Sequence, residues 1–68
     1  MKIIANTKFQ ETRIRKGFTI TRLAEKAGVT KTAVSQIERR TNGTRPATAQ
    51  KIIEALDVEF DDVFTLEK

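Results

Sequence analysis

The chain has 68 residues, with 13 Lys+Arg against 9 Asp+Glu, a formal net charge of +4, and neither Cys nor His. That is room for one small domain, and the missing residue types remove a disulfide frame, a zinc–thiolate site, the usual general base and the commonest metal ligand. No apolar run approaches the roughly 18 residues of a bilayer span, and no basic segment leads through an apolar stretch to a small-residue cleavage site, so a cytoplasmic protein without a secretory signal is expected.

Lys2–Ala5 is short and β-branched and is bounded by Asn6, which predicts a strand or an extended arm. Asn6 or Thr7 is placed to cap a first helix over 8–16, ended by Gly17. Thr19 caps a second helix over 20–27, in which Ile20, Leu23, Ala24 and Ala27 recur at helical spacing along one face, and Gly28 ends it. Thr30 caps a third helix over 31–40, with Val34 and Ile37 inward. A polar loop over 41–45 leads to Pro46, which suits the first position of a fourth helix because an N–H there would have no helical partner. That helix presents Ala49, Ile52, Ile53 and Leu56 at the same spacing, and Asp57 after it tolerates the left-handed conformation better than most residues. A short fifth helix is expected over 59–64, capped by its own acids, and 64–67 alternates apolar and polar as a strand does. Strand-like segments at both ends suggest a small antiparallel ribbon, which persists only if it packs against helices.

Charge is segregated along the chain. Residues 1–53 carry twelve bases and three acids, a net of +9, whereas residues 54–68 carry six acids and one base, a net of −5. A small domain polarised in this way offers one face to polyanions and turns the other away.

Two helices joined at Gly28-Val29 must cross steeply at close range. Ala24 leaves room for the partner helix, Gly28 gives the turn its backbone freedom, and Leu23, Ala27, Val29, Val34 and Ile37 fill the wedge. With these residues stand Phe9-x-x-x-Arg13, Gly17-Phe18-Thr19, Leu23 to Thr30, Val34-Ser35-Gln36-Ile37-Glu38-Arg39, Asn42-Gly43-Thr44-Arg45-Pro46 and Ala55-Leu56-Asp57-Val58. As a set, running from about Phe9 to Phe64, they closely resemble the phage repressor/Cro-type (XRE-like) helix-turn-helix regulators of bacteria and phages.

The resemblance implies an all-α, compact five-helix, lambda-repressor-like domain over 1–68 that binds double-stranded DNA as a homodimer, with the third helix in the major groove. Carried over position by position, Lys31, Thr32 and Gln36 are the base readers and Ala33 offers a methyl contact to thymine. The chemistry agrees: Lys31 can donate to guanine O6/N7, Gln36 can make paired hydrogen bonds to adenine, and Thr32 has both a hydroxyl and a methyl. Phosphate contacts are expected from Thr19, Thr21 and Arg22 at the start of the second helix and from Arg39, Arg40, Asn42, Thr44 and Arg45 after the third. The chain departs from the family in having Ile20 where a Gln-like residue is usual, and Arg40 where Gly is usual. Arg13 shares the inner face with Phe9, and Glu38 lies four residues after Val34. Family members place an Arg–Glu pair at these positions, which implies a partly buried, bidentate link between the first and third helices.

Residues 57–68 are the candidate dimerisation segment. Phe60, Val63, Phe64 and Leu66, with Val58, are its apolar side chains, some closing the core and others facing a partner. No cofactor, metal or small-molecule ligand is implied, and no attached sensing domain is expected. An enzyme is excluded by the absence of His and Cys, by a single Ser (Ser35) and by the lack of a Gly-rich phosphate loop. The alternative is a protein-interaction module, such as an antitoxin, that binds a partner protein through the C-terminal apolar surface. RNA binding is disfavoured, because the only aromatic residues are four Phe and none lies in a basic stretch where bases would stack.

Overall fold

Side-chain caps and left-handed residues mark out most of the elements. In the computed structural model, which describes residues 1–40 and 43–68, the order is β1 (Lys2–Ala5), α1 (Phe9–Arg15), α2 (Ile20–Ala27), α3 (Lys31–Arg39), α4 (Pro46–Leu56), α5 (Phe60–Val63) and β2 (Phe64–Glu67). Thr19 Oγ1 accepts from the Arg22 amide at 3.1 Å and Thr30 Oγ1 from the Ala33 amide at 3.0 Å, opening α2 and α3 as their sequence predicts. Between them Gly28 lies at φ +73°, where a Cβ is disfavoured, and the Val29 amide closes the turn on the Ala24 carbonyl at 3.0 Å. Arg40 and Asp57 end α3 and α4 in the same left-handed region, each at φ 58°.

Three boundaries differ from those expected. Neither Asn6 nor Thr7 caps α1; the position belongs to Lys8, whose side chain makes no cap bond. Asn6 acts one turn earlier, its Oδ1 accepting from the Lys8 amide at 2.8 Å, so an Asx turn precedes the helix and delays its start. The third helix stops at Arg39 because Arg40 has left the helical region. The fifth helix is shorter than expected: Glu59 and Asp62 form a reciprocal capping box at its start, and Phe64 has already passed into β2.

The ribbon forms. β1 and β2 pair antiparallel in the register Lys2↔Glu67, Ile3↔Leu66, Ile4↔Thr65 and Ala5↔Phe64, and the Asn6 amide extends the ladder to the Val63 carbonyl at 2.8 Å. It survives because its inner face is part of the core: Ala5 and Phe64 are buried with Phe9, Leu23, Val34, Ile52, Leu56 and Val63. The Phe64 ring lies 5.7 Å from that of Phe9 and 5.5 Å from that of Phe60, joining α1, α5 and the ribbon. On α4, Ala55 is buried and Ile53 only half-buried, so the inner face is turned slightly from the one expected.

This packing sorts the four candidates between core and surface. Val63 and Phe64 are 0% and 1% exposed, taken up by the protomer's own core, and Phe60 is half-buried against Phe64. Of the four candidates only Leu66, 52% exposed, is mostly free. Phe64→Ala is therefore expected to cost about 3–5 kcal/mol, comparable with all that a core of this size supplies. Its helical circular dichroism should collapse at 25 °C, while Leu66→Ala keeps the native spectrum.

Candidate nucleic-acid interface

The orientation of α3 is held from behind by Arg13. This arginine, 8% exposed, donates from Nε to Glu38 Oε1 at 2.6 Å and from Nη1 to the Phe18 carbonyl at 2.6 Å. The expected pair is thus present but not bidentate: one side of the guanidinium fork holds the carboxylate and the other holds the turn before α2. Every buried side-chain polar atom among the described residues has a partner. The clasp therefore fixes the last turn of α3 against α1 without leaving a bare charge inside.

The opposite face of α3 is open. Lys31, Thr32, Gln36 and Arg39 are exposed, while Ala33 and Ser35 are half-buried. Two clefts flank the helix. One, of about 350 Å³, lies towards α2 and is lined by Ile20, Lys31, Thr32, Ser35, Gln36 and Arg39. The other, of about 180 Å³, lies towards α4, between Ala33, Gln36 and Ile37 on one side and Gly43, Thr44, Arg45 and Thr48 on the other. Gln36 lines both and so stands on the ridge between them. Ser35 and Thr48 were not singled out in the sequence. Ser35 is three residues from Thr32 and four from Lys31, a spacing that puts it on their face; Thr48 had no comparable signal.

The expected phosphate ligands fall into two groups on either side of α3. Thr19, Thr21 and Arg22 are exposed at the start of α2. The Thr19 hydroxyl accepts from the Arg22 amide, which leaves the Ile20 and Thr21 amides as the first-turn donors without a helical acceptor. Ile20 is half-buried against the core and gives its cleft an apolar wall in place of a hydrogen-bonding side chain. After α3, Arg40 and Arg45 are exposed, while Arg39, also exposed, lines the cleft towards α2. Among the described residues the ion pairs are Arg13–Glu38 and Arg15–Glu11, so Arg22, Arg39, Arg40, Arg45 and Lys31 have no described carboxylate within 4.0 Å. The Thr44 amide is already committed, donating to the Ile3 carbonyl at 2.8 Å, and only its side chain remains as a donor. Asn42 lies outside the described residues.

A helix capped at its start, clasped from behind and open in front, with basic groups on both flanks, defines a helix-turn-helix surface. The helix-turn-helix family profile matches residues 9–63. A crystal structure of the master regulator for biofilm formation, SinR, in complex with DNA is similar at 38% identity and a TM-score of 0.71, covering 79% of this chain and 87% of that one. The solution structure of the N-terminal DNA-binding domain of SinR from Bacillus subtilis is similar at 34% identity and a TM-score of 0.70, covering 81% of each chain. No curated protein sequence matches. The chain belongs to the XRE-type helix-turn-helix family and is a DNA-binding regulator of this class, not an enzyme.

Two substitutions separate support from strain. Glu38→Ala leaves the Arg13 cation without its carboxylate and should cost on the order of 3–5 kcal/mol in urea unfolding. Arg40→Gly removes a Cβ from a left-handed position, at a smaller loss of chain entropy, and should raise stability by about 0.5–1 kcal/mol in the same assay.

Proposed function

We propose that the protein is a sequence-specific, homodimeric repressor that inserts α3 into the major groove of an inverted-repeat operator and occludes promoter DNA. The observation that carries this is the exposed row of Lys31, Thr32 and Gln36 on α3, between two basic flanks and backed by the Arg13–Glu38 clasp. Lys31 favours guanine, Gln36 favours adenine, and Ala33 and Thr32 present methyl groups to thymine. Thr21, Arg22, Arg39, Arg40 and Arg45, with the first-turn amides of α2, hold the phosphates on either side. The likeness to a SinR structure in complex with DNA supports this arrangement.

A single α3 reads about one half-site; two copies read half-sites roughly 34 Å apart. Of the C-terminal apolar candidates, Leu66 is the one mostly left for a second copy. It sits on β2, which has β1 along one edge and no strand along the other among the described residues. The acids of 54–68 keep this end of the chain from competing for the phosphates.

Selection from a random duplex library tests the whole reading. Enrichment of an inverted repeat, lost in a Lys31→Ala/Gln36→Ala double variant, is the expected result. No enrichment, or enrichment indifferent to those two side chains, would transfer the search to a protein partner at the C-terminal surface. On the enriched site Gln36→Ala should cost about 1–3 kcal/mol and relax selectivity at one base pair. Arg45→Ala should weaken binding to every sequence alike and lower the salt slope by about one.

A further inference from the structure

The segment that leaves α3 and enters α4 is held by the far end of the chain. Arg45 occupies the N-cap position of α4, yet no side chain there caps the helix. The Thr44 amide instead donates to the Ile3 carbonyl at 2.8 Å, forming an isolated antiparallel bridge. Beside it Gly43 lies over Lys2: a Cβ built on Gly43 would meet Lys2 Cβ and Cγ at 3.5 Å.

In an antiparallel ladder the N–H and C=O of one residue point to the same side, and successive residues alternate. Ile3 turns its carbonyl to Thr44, so Lys2 and Ile4 turn theirs to Glu67 and Thr65. The Asn6 amide, bonded to the Val63 carbonyl, keeps that alternation. β1 is thus a middle strand, with β2 along one edge and residues 43–45 docked on the other. The Ile3 side chain packs against the core and holds β1 in depth.

We infer that β1 is a positioning element of the DNA-binding surface: through the Thr44–Ile3 bond it sets where residues 43–45 present Arg45 and the start of α4 to the phosphates. This rests on the DNA-binding reading above. Gly43, Thr44 and Arg45 also form one wall of the cleft beside Gln36, so the same bond fixes the width of the groove next to a base reader. Positioning of this kind acts through geometry and adds no charge.

A change that removes the bond and leaves every charge and side chain in place is the direct test. The full-length chain is made with the Thr44 amide nitrogen replaced by an ester oxygen, using the α-hydroxy analogue of threonine. A second chain carries the same replacement at Thr65, which removes a donor from the β1–β2 ladder and spares the loop. Both are titrated with a mixed-sequence duplex of about three helical turns, alongside Arg45→Ala, at a temperature where circular dichroism shows all chains folded. The Thr44 ester is expected to bind three- to tenfold more weakly, the range one hydrogen bond commands. Its salt slope should fall towards that of Arg45→Ala, while the Thr65 ester binds as the unmodified chain does. Full affinity in the Thr44 ester with weakened Arg45→Ala would overturn the inference and leave the DNA reading standing. Equal losses in the two esters would overturn it as well, by reducing the effect to stability. If neither the Thr44 ester nor Arg45→Ala changes binding, residues 43–45 are not at the phosphates and the clamp assignment falls with the inference.

Discussion

The buried guanidinium of Arg13 is the interaction on which the rest of the molecule depends. A cation at 8% exposure is tolerable only with its donors satisfied. Here they are divided between a carboxylate on α3 and a backbone carbonyl just before α2. One side chain therefore sets three things at once: the tilt of α1, the entry into the helix-turn-helix, and the last turn of the helix that faces outward. A lysine offers a single point of charge where two divergent donors are needed, so the planar fork is what the site requires. The helix that faces outward is gripped from its hidden side.

The exposed surface is assembled from segments that share no side-chain bonds with one another. The start of α2, the outer face of α3 and residues 43–45 each take their position from something beneath. For α2 this is the Thr19 cap, for α3 the Arg13 clasp, and for the loop the edge of β1. The Thr19 and Thr30 caps act locally, within one turn. The clasp and the bridge act across the fold, and they are where changes far from the surface would be felt on it.

Much of this organisation was legible in the sequence because it is local. Thr19, Gly28 and Thr30 punctuate the chain at the right intervals, and Leu23, Ala24, Ala27, Val34 and Ile37 recur at a period that only a pair of crossed helices satisfies. The two-residue alternation at the C-terminus and the β-branched start were enough to suggest the ribbon. What escaped is non-local or backbone-borne. Asn6 could as well cap a helix as make the turn before it, since both use the same side-chain oxygen. The division of Arg13's donors depends on where the Phe18 carbonyl lies, which no spacing encodes. Val63 and Phe64 were indistinguishable from Leu66 as apolar residues near the end; only the packing of α5 and of the ribbon onto the core separates the two that are buried from the one that is not. The bond from Thr44 to Ile3 uses main-chain atoms alone and leaves no trace in residue type.

The ribbon also joins the two ends of the chain. Its pairing of Lys2 with Glu67 closes a loop of nearly the whole chain. The helices can form from short-range contacts, but this closure carries the largest entropic cost in the molecule and yields only a few strand bonds in return. The closure does not stand apart from the helices, because Ala5 and Phe64 carry the ribbon into their core. Residues 43–45 rest on the other edge of β1 through the Thr44–Ile3 bond, so the strand that closes the chain also holds the segment entering α4. Amide exchange at Ile4 and Thr65, compared with that at Leu23 or Ile52, would measure whether the ribbon and the helical core open together.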